Sequence, residues 1–197
     1  DRRQRQMCIS DRSSNTLTLR ERGIPIHIGH SADNVTDDIS FVIRTAAVHD
    51  DNPEVHEAHR RGIPVFERTQ AWGALMRGYQ NALCISGTHG KTTTTSMCTH
   101  IMMAAEKDPT VMIGGTLPLL KACHRVGKGN TIIMESCEYY NSFLALNPTI
   151  AVVLNIEADH LDFFKDINDI RHSFREYASN TLAGGATTVS YTHLRAH

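Results

Sequence analysis

Short apolar runs alternate with longer polar stretches along most of this sequence. The apolar runs have the length of buried strands, and the polar stretches between them have the length of helices. Strands that alternate with helices in this way usually pair in parallel, with the helices packed against the sheet. The rhythm therefore predicts an α/β fold built on parallel sheets.

The first part of this pattern, residues 13–80, predicts an incomplete Rossmann-like domain with a parallel sheet. Asn52-Pro53-Glu54 predicts a helix start, because Asn caps a helix, Pro suits its first turn and an early acid favours its N-terminus. The run Phe41-Val42-Ile43 favours a buried parallel strand. The other predicted elements are strands at 24–28 and 63–66 and a helix at 68–79.

The second part, residues 81–189, predicts a truncated central ATPase domain of the P-loop α/β type. A helix capped by Asp166 is expected, since Ile167, Ile170, Phe174 and Tyr177 fall on one helical face. The other predicted elements are a helix at 93–105 and strands at 82–86, 111–113, 131–134, 149–154 and 186–189.

The two ends of the chain do not continue either pattern. Residues 1–12 are mostly polar, and residues 190–197 break off a strand-like run without turn or helix signals. We interpret both as non-native tails that do not belong to the fold, and the chain as an internal fragment of a longer protein. The alternative is that both ends are native disordered tails.

Composition excludes several classes of function. There are 20 basic and 21 acidic residues, so the net charge of −1 predicts neither a nucleic-acid partner nor an anionic membrane surface. No apolar run is long enough for membrane insertion and no signal peptide is present, so a cytoplasmic location is expected. The five cysteines form no CxxC pair, which predicts reduced and mostly buried thiols.

The most informative motif is Gly87-Thr88-His89-Gly90-Lys91-Thr92, between a predicted strand and a predicted helix. Glycines let the backbone approach phosphate oxygens, and the helix N-terminus directs unpaired N–H groups at the anion. Lys91 suits the β- and γ-phosphates, and the Thr92 hydroxyl suits Mg²⁺. The full Walker pattern has Gly where this chain has Ile85, so a glycine-rich turn with a solvated lysine is the alternative.

Acidic side chains follow two further predicted strands. Glu135 and Glu138 come after the strand at 131–134, and Asn155–Asp162 holds Asn, Glu, Asp and His after the strand at 149–154. Ligands of open parallel sheets bind at the carboxyl ends of strands, where a carboxylate can hold nucleotide-bound Mg²⁺. The alternatives are surface acids and a structural His160.

These three motifs resemble those of the Mur ligase family. Residues 87–97 are similar to its ATP loop, 135–144 to its central acidic motif, and 155–162 to its Asn-x-Glu-x-Asp-His-x-Asp segment. The resemblance implies catalytic Lys91, Glu138 and His160, with Mg²⁺ held by Thr92, Glu138 and His160. It also implies that ATP contacts Gly87, Thr88, His89, Gly90, Lys91, Thr92 and Thr93. Upstream, it implies that His30, Asn34 and Asn52 bind a uridine nucleotide.

The resemblance also implies a reaction in peptidoglycan synthesis, hence in cell wall biogenesis. An ATP- and Mg²⁺-dependent ligase would join L-alanine to the lactyl carboxylate of UDP-N-acetylmuramate through an acyl phosphate. The family's glycine-rich first turn and C-terminal domain have no counterpart here, so a full turnover is not expected. Two alternatives stay open: a ligase that adds a preformed peptide to UDP-N-acetylmuramate, and a non-catalytic Mg-ATP-binding module. Folylpolyglutamate synthetase is disfavoured by the unit at 13–80.

Overall fold

The computed structural model of the chain describes residues 7–9, 14–45 and 47–189. The chain divides into two compact units, Asp1–Ala71 and Trp72–His197. The division falls earlier than the expected boundary at residue 80. The reason is that Trp72 and Met76 pack against the hydrophobic core of the second unit.

The first unit is made of short elements connected by turns. In chain order they are β1 (Met7–Ile9), α1 (Ser14–Glu21), β2 (Ile26–Ile28), a 3₁₀ turn (Ala32–Asn34), β3 (Val42–Arg44), α2 (Pro53–Arg60), β4 (Val65–Glu67) and the start of α3 (Arg68–Met76). Strand β1 pairs in parallel with β2, and β3 pairs in parallel with β4. The predicted parallel pairing is confirmed, in two separate two-stranded sheets.

Two expectations for this unit need correction. Residues 1–12 were expected to lie outside the fold, but the apolar segment Met7–Ile9 forms a strand in register with Ile26–Ile28. The remaining residues of both expected tails lie outside the described residues. Strand β3 was expected to be buried, yet Phe41 and Ile43 are about half exposed. A two-stranded sheet leaves much of its surface to solvent, so an apolar run does not ensure burial.

The second unit holds the longer elements. They are the end of α3, β5 (Asn81–Ser86), α4 (Lys91–Ala104), β6 (Thr110–Leu117), β7 (Ala122–Arg125), β8 (Thr131–Glu135), a 3₁₀ segment (Tyr139–Ala145), β9 (Ile150–Val153), α5 (Ile167–Ser179) and β10 (Ala186–Val189). They form a six-stranded sheet in the order β10-β9-β5-β8-β6-β7. All pairs are parallel except β6 with β7.

The core of this unit lies between the sheet and α5. As predicted, Asp166 caps α5, since its side chain accepts hydrogen bonds from the N–H groups of Asn168 and Asp169. Phe174 and Tyr177 are buried, and the Tyr177 ring stacks on Phe143 with 4.6 Å between ring centroids. This packing fixes the 3₁₀ segment against α5, directly after the loop that contains Glu138.

Three further differences from the expectations concern single features. The hairpin of β6 and β7 was not predicted, because Ala-Cys-His-Arg lacks a strand pattern. Helix α4 begins at Lys91, two residues earlier than expected. Of the four cysteines whose side chains are described all are free, but among them only Cys84 is buried and Cys137 is exposed, so the expectation of mostly buried thiols was wrong. Among the described residues, no helix is both long and apolar enough to cross a bilayer.

Candidate active site

Strand β5 occupies the centre of the sheet, between β8 and β9. Ile85 is in register with Glu135, and Ser86 is in register with Val153. The carboxyl ends of the three strands therefore meet at one edge of the sheet. This is where ligands bind in open parallel sheets, and all three predicted motifs begin there.

The loop between β5 and α4 has the backbone of an anion cradle. Gly90 caps α4 with a φ of 83°, in the left-handed region that glycine adopts without strain. Gly87 has a φ of 134°, and a Cβ there would lie 3.0 Å from the Cβ of Leu154. The first turn of α4 leaves backbone N–H groups without helical acceptors. Lys91, Thr92 and Thr93 therefore present their N–H groups at the positive end of a fourteen-residue helix.

The Lys91 ammonium lies inside this loop. It donates hydrogen bonds to the carbonyl oxygens of Gly87 at 2.6 Å and Thr88 at 3.2 Å. It also pairs with Glu138, at 3.0 and 3.2 Å from the two carboxylate oxygens. Only 3% of the Glu138 side chain and 17% of the Lys91 side chain are exposed. The lysine is therefore not a solvated surface charge, which removes the alternative interpretation of the motif.

Thr92 and Glu135 form a second polar pair at this edge. The Thr92 hydroxyl donates to Glu135 Oε2 at 3.2 Å. The other carboxylate oxygen, Oε1, is buried and has no hydrogen-bond partner among the described residues. The sequence placed Thr92 with Glu138, but the structure pairs Thr92 with Glu135 and Glu138 with Lys91. Strand register determines this pairing, and the sequence does not show it.

The oxygens at this edge fit Mg²⁺. Mg²⁺ binds through one or two carboxylates, water and substrate phosphates, and seldom through a complete set of protein ligands. Among the described residues, no group of three or more His, Cys, Asp or Glu side chains is arranged to hold a metal by itself. The Thr92 hydroxyl and the unpartnered Oε1 of Glu135 are the kind of protein ligands that Mg²⁺ uses, because phosphates and water supply the rest of its coordination.

Asn155 connects the segment after β9 to the phosphate loop, and the sequence analysis gave it no role of its own. Its side chain accepts from the His89 N–H at 2.8 Å and donates to the His89 carbonyl at 2.9 Å. Its backbone carbonyl accepts from the Thr88 N–H at 3.1 Å. The Thr88 hydroxyl in turn accepts from the Glu157 N–H at 2.9 Å. These bonds fix the loop from the neighbouring strand.

His160 lies on the same side of the site. Its Nε2 is 4.0 Å from Glu138 Oε1, and its ring stacks on Tyr139 with 4.4 Å between centroids. The Tyr139 hydroxyl donates to Asp162 at 2.5 Å. That hydrogen bond raises the pKa of Tyr139 and lowers the pKa of Asp162. The structure thus brings His160 and Glu138 together, as the motifs predicted.

Comparison with known proteins agrees with this geometry. The family model for the Mur ligase middle domain matches residues 85–191, and the model for the Mur ligase family, catalytic domain, matches residues 10–80. The chain belongs to the Mur ligase family. The middle-domain match contains the phosphate loop, the acidic motif and the segment with His160.

Individual members of the Mur ligase family cover most of the chain. UDP-N-acetylmuramate–L-alanine ligase of Agathobacter rectalis is 53% identical over 181 residues, which are 92% of this chain and 39% of that protein. The crystal structure of the UDP-N-acetylmuramate–alanine ligase of Thermotoga maritima matches with a TM-score of 0.82 and 30% identity, over 96% of this chain and 44% of that one. The chain thus spans about two fifths of the length of the relatives it matches.

A ligase named for a peptide substrate has the same fold. The UDP-N-acetylmuramate:L-alanyl-gamma-D-glutamyl-meso-diaminopimelate ligase of Neisseria meningitides matches with a TM-score of 0.81 and 21% identity, over 94% of this chain and 63% of that one. The two solved ligases fit this chain almost equally well in shape. The likeness to the peptide ligase therefore shows the fold alone.

The uridine-nucleotide residues expected in the first unit form a polar cluster of their own. Glu54 is its centre, with one carboxylate oxygen 2.7 Å from His30 Nδ1 and the other accepting from Asn34 at 2.6 Å. Asn52 uses its side chain to cap α2, accepting from the Glu54 N–H at 3.0 Å. The structure therefore gathers His30 and Asn34, and gives Asn52 a structural role in the helix start. The sequence indicated Glu54 as part of the helix start but not as the carboxylate that joins His30 and Asn34.

Proposed function

We propose that this chain is part of an ATP- and Mg²⁺-dependent ligase that joins L-alanine to the lactyl carboxylate of UDP-N-acetylmuramate. The observation that carries the proposal is the Lys91–Glu138 pair inside a glycine loop at the carboxyl end of β5. The name of the relative that is 53% identical supports L-alanine over a preformed peptide. The product is a precursor of peptidoglycan, and a cytoplasmic location follows from use of ATP.

In this proposal the phosphates of ATP lie against residues 87–93. The N–H groups of the first turn of α4 bind the phosphate oxygens, and Lys91 turns from its loop carbonyls to the transferring phosphoryl group. The lactyl carboxylate attacks the γ-phosphorus of ATP, the bond to the β-phosphate breaks, and ADP and an acyl phosphate result. The amine of L-alanine then attacks the acyl carbon, and the amide forms with release of phosphate and a proton. Asn155 maintains the loop shape while Lys91 changes partners.

We propose that Thr92 and Glu138 hold one Mg²⁺ and that His160 helps to place a second near the γ-phosphate. Glu135 would join Thr92 and Glu138, because it accepts a hydrogen bond from Thr92 and its Oε1 has no hydrogen-bond partner among the described residues. When bound, the cation would neutralise charge on the phosphates. His30 and Asn34, oriented by Glu54, would contact the uridine nucleotide in the first unit.

The first test is nucleotide binding by this 197-residue chain, measured by titration calorimetry with Mg-ATP. We expect Lys91→Ala to weaken binding by about 100-fold, because a positive charge at the phosphates is lost from a largely buried site. Lys107→Ala, which removes a lysine from an exposed position, is the matched control and should leave the affinity unchanged. Equal affinities for Lys91→Ala and the parent chain would overturn the assignment.

The second test is turnover by the complete reading frame that contains this chain. We expect ADP release that depends on both UDP-N-acetylmuramate and L-alanine, and no ADP above background for Lys91→Ala. Release that requires a peptide in place of L-alanine would support the peptide-adding ligase instead. Binding of Mg-ATP without any acceptor-dependent turnover would support the non-catalytic module.

A further inference from the structure

The orientation of the His160 ring must be fixed by a neighbouring side chain if His160 is to help place a cation. It lies in the loop between β9 and α5, and its φ of 51° is in the left-handed region that non-glycine residues rarely adopt. Its Nε2 is 4.0 Å from Glu138, which is longer than a hydrogen bond. The loop backbone is fixed, since the His160 N–H donates to Asp159 and its carbonyl accepts from Phe163 and Phe164. The ring direction depends on other contacts.

Tyr139 supplies such a contact from the neighbouring loop. Its ring lies 4.4 Å from the His160 ring at an interplanar angle of 27°, which is a stacked arrangement. Its hydroxyl donates to Asp162 at 2.5 Å, two residues after His160. Tyr139 therefore contacts the segment containing His160 at two points, a ring face and a carboxylate. Tyr139 also follows Glu138 directly in the chain, so it connects two of the proposed metal-binding side chains, Glu138 and His160.

We propose that Tyr139 is a positioning residue that holds the His160 ring toward Glu138 and so prepares the site for the cation. The inference rests on the proposed function, since it assigns a partner to the proposed metal-binding histidine. A stacked ring restricts rotation of the imidazole, and the hydroxyl–carboxylate bond restricts rotation of the tyrosine. Outer partners fix the orientation of metal-binding histidines, commonly through a hydrogen bond to the second ring nitrogen, and at His160 ring stacking takes that part.

The backbone that follows Tyr139 is also held in an uncommon conformation. The next residues, Tyr140 and Asn141, also have positive φ values, 52° and 54°. Two hydrogen bonds stabilise this backbone conformation. The Asn141 N–H donates to the Glu138 carbonyl at 2.8 Å, and the Ser173 hydroxyl donates to the Asn141 side chain at 2.6 Å. Backbone conformations of this kind persist where surrounding contacts determine them, and they concentrate at functional sites.

A purely structural role for Tyr139 makes a different prediction. Tyr139 also contacts Tyr140 and Phe163, so its removal could simply loosen the aromatic cluster. Loosening would lower the melting temperature and weaken ATP binding with and without Mg²⁺ alike. A positioning role confines the effect to the Mg²⁺-dependent part of binding, and that effect requires His160.

The experiment is a double-mutant cycle on the 197-residue chain, with dissociation constants for ATP measured in Mg²⁺ and in EDTA. We expect Tyr139→Ala to weaken Mg-ATP binding by about 10-fold, the lower end of the range for outer partners of metal ligands, with little change in EDTA. In a His160→Ala background, Tyr139→Ala should have no further effect. An equal loss in Mg²⁺ and EDTA, or a loss that persists without His160, would overturn the proposal.

Two milder variants cover the case in which Tyr139→Ala does not fold. Tyr139→Phe keeps the ring stack and removes the hydrogen bond, and we expect a smaller loss of Mg-ATP affinity that Asp162→Asn does not reproduce, since an amide oxygen still accepts. Tyr79→Phe is the matched control, because it removes a hydroxyl that donates to Thr110 at the opposite edge of the sheet. Parent-like Mg-ATP affinity in Tyr139→Phe, with Tyr139→Ala unfolded, would count against the proposal.

The ring contact has a readout that needs no nucleotide. In the proton spectrum of the chain, the His160 ring protons should move downfield in Tyr139→Ala and stay in place in Tyr139→Phe, because stacking shields them. Unchanged His160 resonances in folded Tyr139→Ala would overturn the inference by itself. If the parent chain does not bind Mg-ATP, or Lys91→Ala binds it equally well, the proposed function fails, and this spectrum still reports on the contact.

Discussion

The two units of the chain hold their candidate functional groups by different physical means. In the second unit, three strands of a six-stranded sheet bring Lys91, Glu135 and Asn155 to one edge over a large apolar core. In the first unit, the strands are three residues long, and a buried carboxylate, Glu54, gathers His30 and Asn34 by hydrogen bonds. Packing determines the geometry in one unit, and a polar cluster determines it in the other.

The difference shows in where the aromatic side chains lie. Phe143 is fully buried between Phe174 and Tyr177 in the second unit. Phe66 in the first unit is 43% exposed, although its ring meets Phe41 edge to face. A similar alternation of strands and helices in the sequence therefore gives a large buried core only where enough strands join one sheet.

The largest expected effect comes from removing an aromatic ring from each unit. Phe143→Ala should lower the free energy of unfolding by about 3–5 kcal/mol, since it empties a filled core position. Phe66→Ala should lower it by less than about 1 kcal/mol, because a half-exposed ring loses little burial. Urea unfolding followed by circular dichroism would measure both. Similar losses for the two variants would mean that packing matters equally in both units.

The second effect concerns the hydrogen bonds that connect Asn155, after strand β9, to the loop at residues 87–92. Asn155→Ala removes two hydrogen bonds to His89, together worth about 2 kcal/mol, and should weaken Mg-ATP binding by up to about 30-fold. Calorimetric titration would measure it. Asn180→Ala is the matched control, since it removes one bond to the Leu144 carbonyl at the far end of α5. If Asn180→Ala weakened binding as much, general loosening would explain the loss.

Glu54→Gln tests the polar cluster of the first unit. A glutamine keeps one oxygen that accepts from Asn34, but its amide group can only donate to His30 Nδ1, so a bond to a carboxylate is replaced by a neutral one that requires the other His30 tautomer. We expect a loss of about 1 kcal/mol in the free energy of unfolding of this unit, the difference between a hydrogen bond to a charged group and one to a neutral group. Hydrogen exchange resolved by unit would measure it. Glu21→Gln, at an exposed helix end, should change nothing, and parent-like exchange in Glu54→Gln would contradict a central role for Glu54.

The smallest effect is a pH dependence in the same unit. Hydrogen bonds from Arg60 and then Arg61 lower the pKa of Glu57 to about 2. A lowered folded-state pKa stabilises the unit above the unfolded-state pKa of about 4.3, and this stabilisation is lost as pH falls toward 2. The melting temperature of the parent should therefore exceed that of Glu57→Gln at neutral pH, and the gap should close in acid. A gap that stays constant with pH would assign the difference to packing.

Much of the fold was predictable because it depends on local signals. The apolar runs located β5, β8, β9 and β10, and the caps Asn52 and Asp166 located the starts of α2 and α5. The hairpin strand β7 was missed because its polar side chains form a strand only through pairing with β6. The exposure of Phe41 was missed because local sequence does not state how many strands join a sheet.

The sequence indicated which motifs would meet at the candidate site but not which side chains would pair there. Residues at strand ends were correctly expected to meet, because parallel strands end at one edge. Which acid faces which group depends on register, so the pairs Thr92–Glu135 and Lys91–Glu138 came only from the structure. The assignment of ATP, Mg²⁺ and the uridine nucleotide to these residues stays a prediction.

The Lys91–Glu138 pair has a consequence for how an anionic ligand arrives. The Lys91 ammonium is already bonded to the Glu138 carboxylate and to two carbonyl oxygens, and a polyphosphate that contacts Lys91 replaces them. Binding is therefore an exchange of partners and not the addition of an anion to an unpaired lysine. Because the pair lies largely out of solvent, mobile ions screen it poorly before and after the exchange. Nucleotide affinity should accordingly respond weakly to added salt, unlike capture by exposed lysines, and the site would discriminate by geometry more than by long-range attraction.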